Sequence, residues 1–306
     1  MNAYLARKLL AVPLILLLTS LLIFSAVRLL PGDPARLMAG MQADQSTVEA
    51  VRKRLGFDQP FAVQYVRFLE RAIHGDLGQS IRSQQPVAQE IAERLPFTIA
   101  LTTAAFSIAI LFGLTAGLFA AIYRGSWLDN ALMISAISGA SVANFWIALM
   151  AMDLFAVKLG WVPLMGAHSW RSYVLPALTL ALAPSAVIAR MTRGSMLEII
   201  HQDYIRTARA KGLSPAAVYI KHALRNALVP IVTIIGLNFA ALLGGAVITE
   251  TVFNWPGVGR LMVDAVRYRD YSTIQGITLI TVAFVVVINL LVDVAVGFLN
   301  PRIRFD

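Results

Sequence analysis

The sequence predicts an all-α integral membrane protein with six transmembrane helices, and three observations lead there. Of its 306 residues, 58% are hydrophobic and only 14% charged, with a mean hydropathy of +0.70, well outside the balance of soluble domains. Uncharged stretches cover residues 9–27, 97–123, 130–152, 172–189, 226–249 and 271–292. Each reaches the roughly 18 to 20 residues that a helix needs to cross a hydrocarbon core. Basic residues, finally, fall unevenly among the connectors. With the N-terminus inside, the inner segments carry Arg7 and Lys8, Arg124, the cluster Arg190, Arg193, Arg206, Arg209, Lys211, Lys221 and Arg225, and then Arg302 and Arg304. The short outer loops carry Lys158, Arg171, Arg260, Arg267 and Arg269. The excess marks the inner face, with both termini cytoplasmic. The net charge of +9 is then mainly an inner-face property suited to anionic lipid, not to nucleic acid.

Taken in order, the span at 9–27 follows Arg7 and Lys8, as a signal peptide would. Its apolar run exceeds the usual h-region of about 7 to 15 residues, and no small-residue cleavage site precedes Arg28 and the Pro31-Gly32-Asp33-Pro34 turn, so a retained helix is expected. The long outer loop mixes charges with apolar residues at helical spacing over 36–56 and 60–73, where Phe61, Tyr65, Phe68 and Leu69 share a face. Gly75-Asp76-Leu77-Gly78 breaks the pattern and 87–95 resumes it. Short outer helices lying on the membrane domain follow. From Pro96 onward the chain is spans and brief connectors. Two parts are therefore expected: 1–95, an N-terminal helix and extracytoplasmic loop, and 96–306, a core of five spans with a cytoplasmic loop at 190–229. Cysteine is absent, so neither disulfides nor thiolate metal sites are available.

Chemistry-bearing residues are sparse. Asp153 and Asp293 stand close to span ends, where hydration lowers the cost of a charge, and Asn144, Asn238 and Asn289 lie within spans. These five are the candidates for lining a polar pathway, with hydrated span ends and interhelical hydrogen bonds as the alternatives. Gly113 and Gly117 form a GxxxG pair and Gly244-Gly245 adds a second small surface, both suited to close helix packing. Pro176, Pro184 and Pro230 are expected to kink membrane helices. His74, His168, His201 and His222 lack metal-ligand spacing, so no metal site is expected. No Gly-Lys pair occurs, which removes the phosphate-cradling loop and with it ATP binding by the chain itself. Intramembrane proteolysis fails on motif grounds: neither aspartate has a GxGD setting, and Ser141 has no GxSG setting and no histidine within a span. A secondary transporter should place ionisable groups at the midplane or show inverted repeats. Neither feature is visible in the sequence.

The most informative segment is 203–230, DYIRTARAKGLSPAAVYIKHALRNALVP. It reads as helix, sharp break, helix. Small residues Ala208, Ala210 and Gly212 line the break, Gly212 can end the first helix, and Ser214 with Pro215 can cap and start the second. A short docking element is presented between two spans. This loop resembles the EAA-type coupling loop of ABC importer permeases, with Thr207-Ala208 to Gly212 at its Ala-rich turn and characteristic glycine. Arg225 stands where the wider family has a proline, and Pro230 comes later, a pattern similar to the peptide subclass. LPGDPA (30–35), LGFDQP (55–60), GDLGQS (75–80), VFNWPGVGRL (252–261), RDY (269–271) and NPRIR (300–304) also resemble that subclass, in order and over nearly the whole chain.

The resemblance implies a MetI-like, type I importer core with an extra N-terminal helix and a periplasmic helical loop, in a bacterial inner membrane. It implies a second permease subunit, two cytoplasmic ATP-binding subunits that use ATP and Mg, and an extracytoplasmic binding protein. This chain would bind no cofactor and catalyse no reaction. The coupling loop would comprise Arg206, Thr207, Ala208, Arg209, Ala210, Lys211, Gly212, Leu213, Ser214 and Pro215. Gly75, Asp76, Gly78, Trp255, Pro256, Gly257 and Arg260 are candidate contacts for the binding protein or an outer gate. The cargo implied is a dipeptide, a longer peptide or glutathione. Nickel is the alternative, against which the absence of histidine from every span argues.

Overall fold

The computed structural model describes residues 2–29, 34–39, 42–56 and 58–299. The helices are α1 (Asn2–Leu29), α2 (Pro34–Ala39), α3 (Gln45–Leu55), α4 (Phe61–Ile73), α5 (Val87–Ile122), α6 (Trp127–Ser141), α7 (Asn144–Ala151), α8 (Val174–Ile200), α9 (Asp203–Ala210), α10 (Arg225–Val252), α11 (Val258–Arg267) and α12 (Tyr271–Leu299). π-Helical turns at Met152–Lys158 and Ala217–Leu224 extend α7 and lead into α10. Among the described residues there is no β-sheet, only an isolated bridge between Gln79 and Pro86. The all-helical class expected from composition is observed.

Two compact units emerge: Phe97–Arg260 with the chain from Val287 onward, and Asn2–Pro96 with Leu261–Val286. In the first unit α8 is central, with 61% of its apolar window buried. Leu180, Ala181 and Ile188 of α8 pack with Leu101, Ala105 and Ala109 of α5 and with Leu242 and Ala246 of α10. Small residues let the backbones approach. A Cβ on Gly113 would lie 2.7 Å from the Cβ of Ile188, and one on Gly117 would lie 2.4 Å from the Ala189 carbonyl oxygen. The GxxxG pair of α5 therefore seats it on α8. Gly117→Ala is expected to lower stability in detergent by about 1–3 kcal/mol, because backbone must move. Gly139→Ala, with nothing within 4 Å of its Cβ position, should not. Equal thermal midpoints for the two variants would contradict this packing.

Within the second unit, α4 is amphipathic and turns its aromatic face to α1. Phe24 meets Phe61, Tyr65 and Phe68 at ring distances of 5.3, 5.3 and 5.4 Å. The Tyr65 hydroxyl also lies 3.0 Å from the Leu17 carbonyl, to which it donates. The stripe expected from spacing is the one that packs.

Among the described residues, four helices are long and apolar enough to cross a membrane, five if one bent pair counts as a span, and the Ala11–Ala26 part of α1 is a shorter apolar stretch. The bent pair departs from the single helix expected over 130–152. α6 and the α7 segment meet at 99°, with Val142 and Ala143 extended between them. Ser138, Gly139 and Ser141 supply weak helix formers just before the break. In the opposite sense, α5 runs unbroken through Pro96, joining the expected outer helix to the span. Pro184 and Pro230 likewise lie inside helices, whereas Pro176 occupies the first turn of α8, where its missing N–H loses no helical bond.

Candidate functional site

The segment after α8 forms a short helix, a tight turn and a second helix. α9 buries Ile205 completely and leaves Ala208 8% exposed, both packed with Met196, Val218, Ala223, Ala227 and Ile231. Its other face carries Arg206, Thr207, Arg209 and Ala210, all exposed. Gly212 has φ +75°, and its N–H donates to the Arg209 carbonyl at 2.9 Å while that of Leu213 donates to Ala208 at 3.4 Å. These two bonds make a Schellman end, which requires a left-handed residue where glycine sits. Ser214 then caps the next helix, its Oγ accepting from the Ala217 N–H at 3.3 Å, with Pro215 in the first turn. Arg206 faces Asp203 at 3.8 Å, and the Arg209 guanidinium lies 5.7 Å from the Tyr219 ring centroid. Lys211 and Leu213 are exposed at the turn.

A second construction closes the end of α10. Glu250 is fully buried. Its Oε1 accepts from the Thr98 hydroxyl at 2.7 Å and its Oε2 from the Arg260 N–H at 3.0 Å. Thr98 in turn accepts from the Val258 N–H at 2.8 Å. The carboxylate fills the space that a side chain at 257 would need: a Cβ on Gly257 would lie 2.3 Å from it. Trp255 is also fully buried; its indole N–H donates to the Phe97 carbonyl at 3.2 Å and its ring meets Tyr173 at 4.5 Å. Pro256 and Arg260 are half-buried at the rim, and the Arg260 guanidinium donates to the Asn254 carbonyl at 3.3 Å.

In the other unit, the glycine-rich loop after α4 is bound to the start of α12. Gly75 and Gly78 have φ +79° and +85°, and Asp76 Oδ1 accepts from the Gly78 N–H at 2.9 Å. Asp270 caps α12 through the Thr273 N–H at 3.2 Å, while its other oxygen accepts from the Ser80 hydroxyl at 2.6 Å and the Ile81 N–H at 3.0 Å. Thus the GDLGQS and RDY motifs are one structure. Arg82 adds a contact to Asp264 at 3.8 Å and stacks over Tyr268 at 4.2 Å.

The polar span residues whose partners are recorded are satisfied locally. Asp153 pairs with Lys158 at 2.7 Å, Asn238 donates to its own helix at Ile234 at 2.8 Å, and Asn144 and Asn289 are half-buried. The side chain of Asp293, like the segments 30–33 and 300–306, lies outside the described residues. Sequence reasoning missed the Asp129–Arg193 pair, a bidentate bridge of 2.7 and 2.8 Å between α6 and α8. It also missed Glu250, whose signal was an acid at the end of an apolar run followed by two closely spaced glycines.

Residues 113–305 match the family described as "Binding-protein-dependent transport system inner membrane component", and residues 1–102 match its N-terminal region. The chain belongs to this family, the multi-pass inner-membrane permeases of ABC importers. Among its relatives, the "Glutathione transport system permease protein GsiC" of Escherichia coli (strain K12) is 47% identical over 302 residues, covering 99% of both chains. That of Shigella boydii serotype 4 (strain Sb227) is 46% identical over the same share of each. In fold, the chain is similar to the permease in structures titled "Inward facing conformations of the MetNI methionine ABC transporter". One matches with a TM-score of 0.58 at 20% identity, covering 69% of this chain and 96% of that one. A second solved structure, of an amino acid ABC transporter with histidines, has a TM-score of 0.52 at 18% identity, covering 69% and 94%. The MetI-like core expected from the sequence is the observed fold.

Proposed function

We propose that this chain is one of two permeases in an ATP-driven importer of short peptides or glutathione. The observation that carries the reading is 47% identity over 99% of both chains to a glutathione permease. The helix at 9–27 and the bent pair each count as one span, which makes six, with both termini cytoplasmic. ATP and Mg act in two partner ATPases, a binding protein delivers cargo outside, and this chain catalyses nothing. Arg206, Thr207, Arg209, Ala210 and Lys211 face the ATPase, while Ala208, Gly212, Ser214 and Pro215 hold the shape that presents them. Displacement of this seated element rotates packed helices between discrete arrangements. On the outer side, Gly75, Asp76 and Gly78 in one unit and Pro256 and Arg260 in the other are contacts for the binding protein or gate; buried Trp255 and Gly257 hold the turn that carries Pro256 and Arg260.

Reconstitution tests the reading. Alone in proteoliposomes, the chain should neither hydrolyse ATP nor accumulate peptide along an ion gradient. With the second permease, the ATPases and the binding protein, ATP-dependent uptake of glutathione or dipeptide is expected. Gradient-driven uptake by the isolated chain would replace this reading with a secondary transporter.

A further inference from the structure

A cleft of about 380 Å³ opens between α6 and α8, lined by Asn130, Met133 and Ile137 on one helix and Arg190 and Gly194 on the other. That volume is within the range of about 300–1,000 Å³ typical of small-molecule sites. The stripes face each other because 190, 193 and 194 share one side of α8 and 129, 133 and 137 share one side of α6. At the cleft wall, Asp129 is 1% exposed, and its two oxygens take two bonds from Arg193 and one of 3.0 Å from the Gly125 N–H. Asp129 and Arg193 neutralise each other, and buried Asp129 already accepts three hydrogen bonds, none of them from Arg190. Arg190 is exposed and, among the described residues, makes no hydrogen bond or ion pair. One uncompensated, planar donor group thus sits at the mouth of a cleft with a neutral polar companion, Asn130.

We propose that Arg190 receives a carboxylate of the cargo as it passes this cleft, making the permease itself selective for anionic peptides. The inference rests on the peptide or glutathione reading above. A guanidinium binds carboxylate through two parallel N–H donors, which an ammonium cannot copy, and cationic side chains along a pore select anions. Arg193 supports the site indirectly, by keeping Asp129 from cancelling the Arg190 charge.

The test uses the complete transporter in proteoliposomes with a tripeptide bearing a free C-terminal carboxylate and its C-terminally amidated counterpart, after confirming that the binding protein takes both. The quantity read is the ratio of their uptake rates within one preparation, so that expression and folding cancel. Arg190→Gln should reduce the free-acid to amide ratio about tenfold, the effect of losing a charge-assisted bond, and Arg190→Lys should restore part of it. An unchanged ratio in Arg190→Gln overturns the proposal. So does a loss shared equally by both peptides, which would assign Arg190 to a carboxylate of a neighbouring subunit or to a lipid phosphate. Wild-type transporter that imports neither peptides nor glutathione would sink the cargo reading itself, and this inference with it.

Discussion

Replacement of Glu250 by alanine is expected to destabilise the protein by on the order of 3–5 kcal/mol. The carboxylate is a hub: Thr98 Oγ1 and the Arg260 N–H both donate to it, in a site with no solvent access to the side chain. Truncation leaves both donors dry and unpaired, at about 1–3 kcal/mol each, and opens a cavity besides. Glutamine should be much milder, since its carbonyl can serve the Arg260 N–H while its amide donates to Thr98 Oγ. Gly257→Ala should fail like the alanine variant, because the new methyl would need the space of the Glu250 carboxyl. Thermal unfolding in detergent, followed by tryptophan fluorescence, would read these differences. Midpoints for Glu250→Ala and Glu250→Gln that coincide with wild type would show that the turn is held by something else.

Ala208→Trp is expected to uncouple ATP hydrolysis from import. The methyl sits 8% exposed beside fully buried Ile205, and an indole there adds volume that a packed surface does not accept. A penalty of about 1–3 kcal/mol corresponds to roughly a 5- to 150-fold loss of the seated form of α9. Gly212 separates shape from volume. Space around its Cβ position is open, but its φ of +75° is costly for a β-branched side chain and tolerated by asparagine. Gly212→Val should therefore impair uptake while Gly212→Asn largely preserves it. Both quantities are measured in the same proteoliposomes of the complete transporter. Wild-type ratios of transported peptide to hydrolysed ATP in Ala208→Trp and Gly212→Val would remove the coupling role from this element.

Beyond the membrane class and the family resemblance, what could be read in advance was local. The Gly212 turn carries its own conformational instruction in a glycine followed by serine and proline, and the Phe61, Tyr65 and Phe68 stripe declares a packing face by spacing alone. Partner choice across the chain was not legible. Thr98 and Glu250 are 152 residues apart, and Ser80 and Asp270 are 190 apart; each residue alone resembles an ordinary polar group near a span end. Asp129 and Arg193 escaped for the same reason, since nothing within either helix shows that a charge at one end has its counterpart on the other. The bend after Ser141 was hidden by composition, because apolar residues continue on both sides and only backbone conformation changes.

That bend constrains the surroundings of the molecule. Where α6 gives way to α7, the peptide units at Val142 and Ala143 are extended, and both residues are exposed on the isolated chain. Hydrocarbon cannot hydrogen-bond such backbone, so irregular chain at membrane depth persists only against protein or water. Where the bend lies at membrane depth, the flank carrying Ser141, Val142 and Ala143 must therefore face protein or water, and an arrangement of subunits that turned it toward hydrocarbon there would leave peptide groups unpaired.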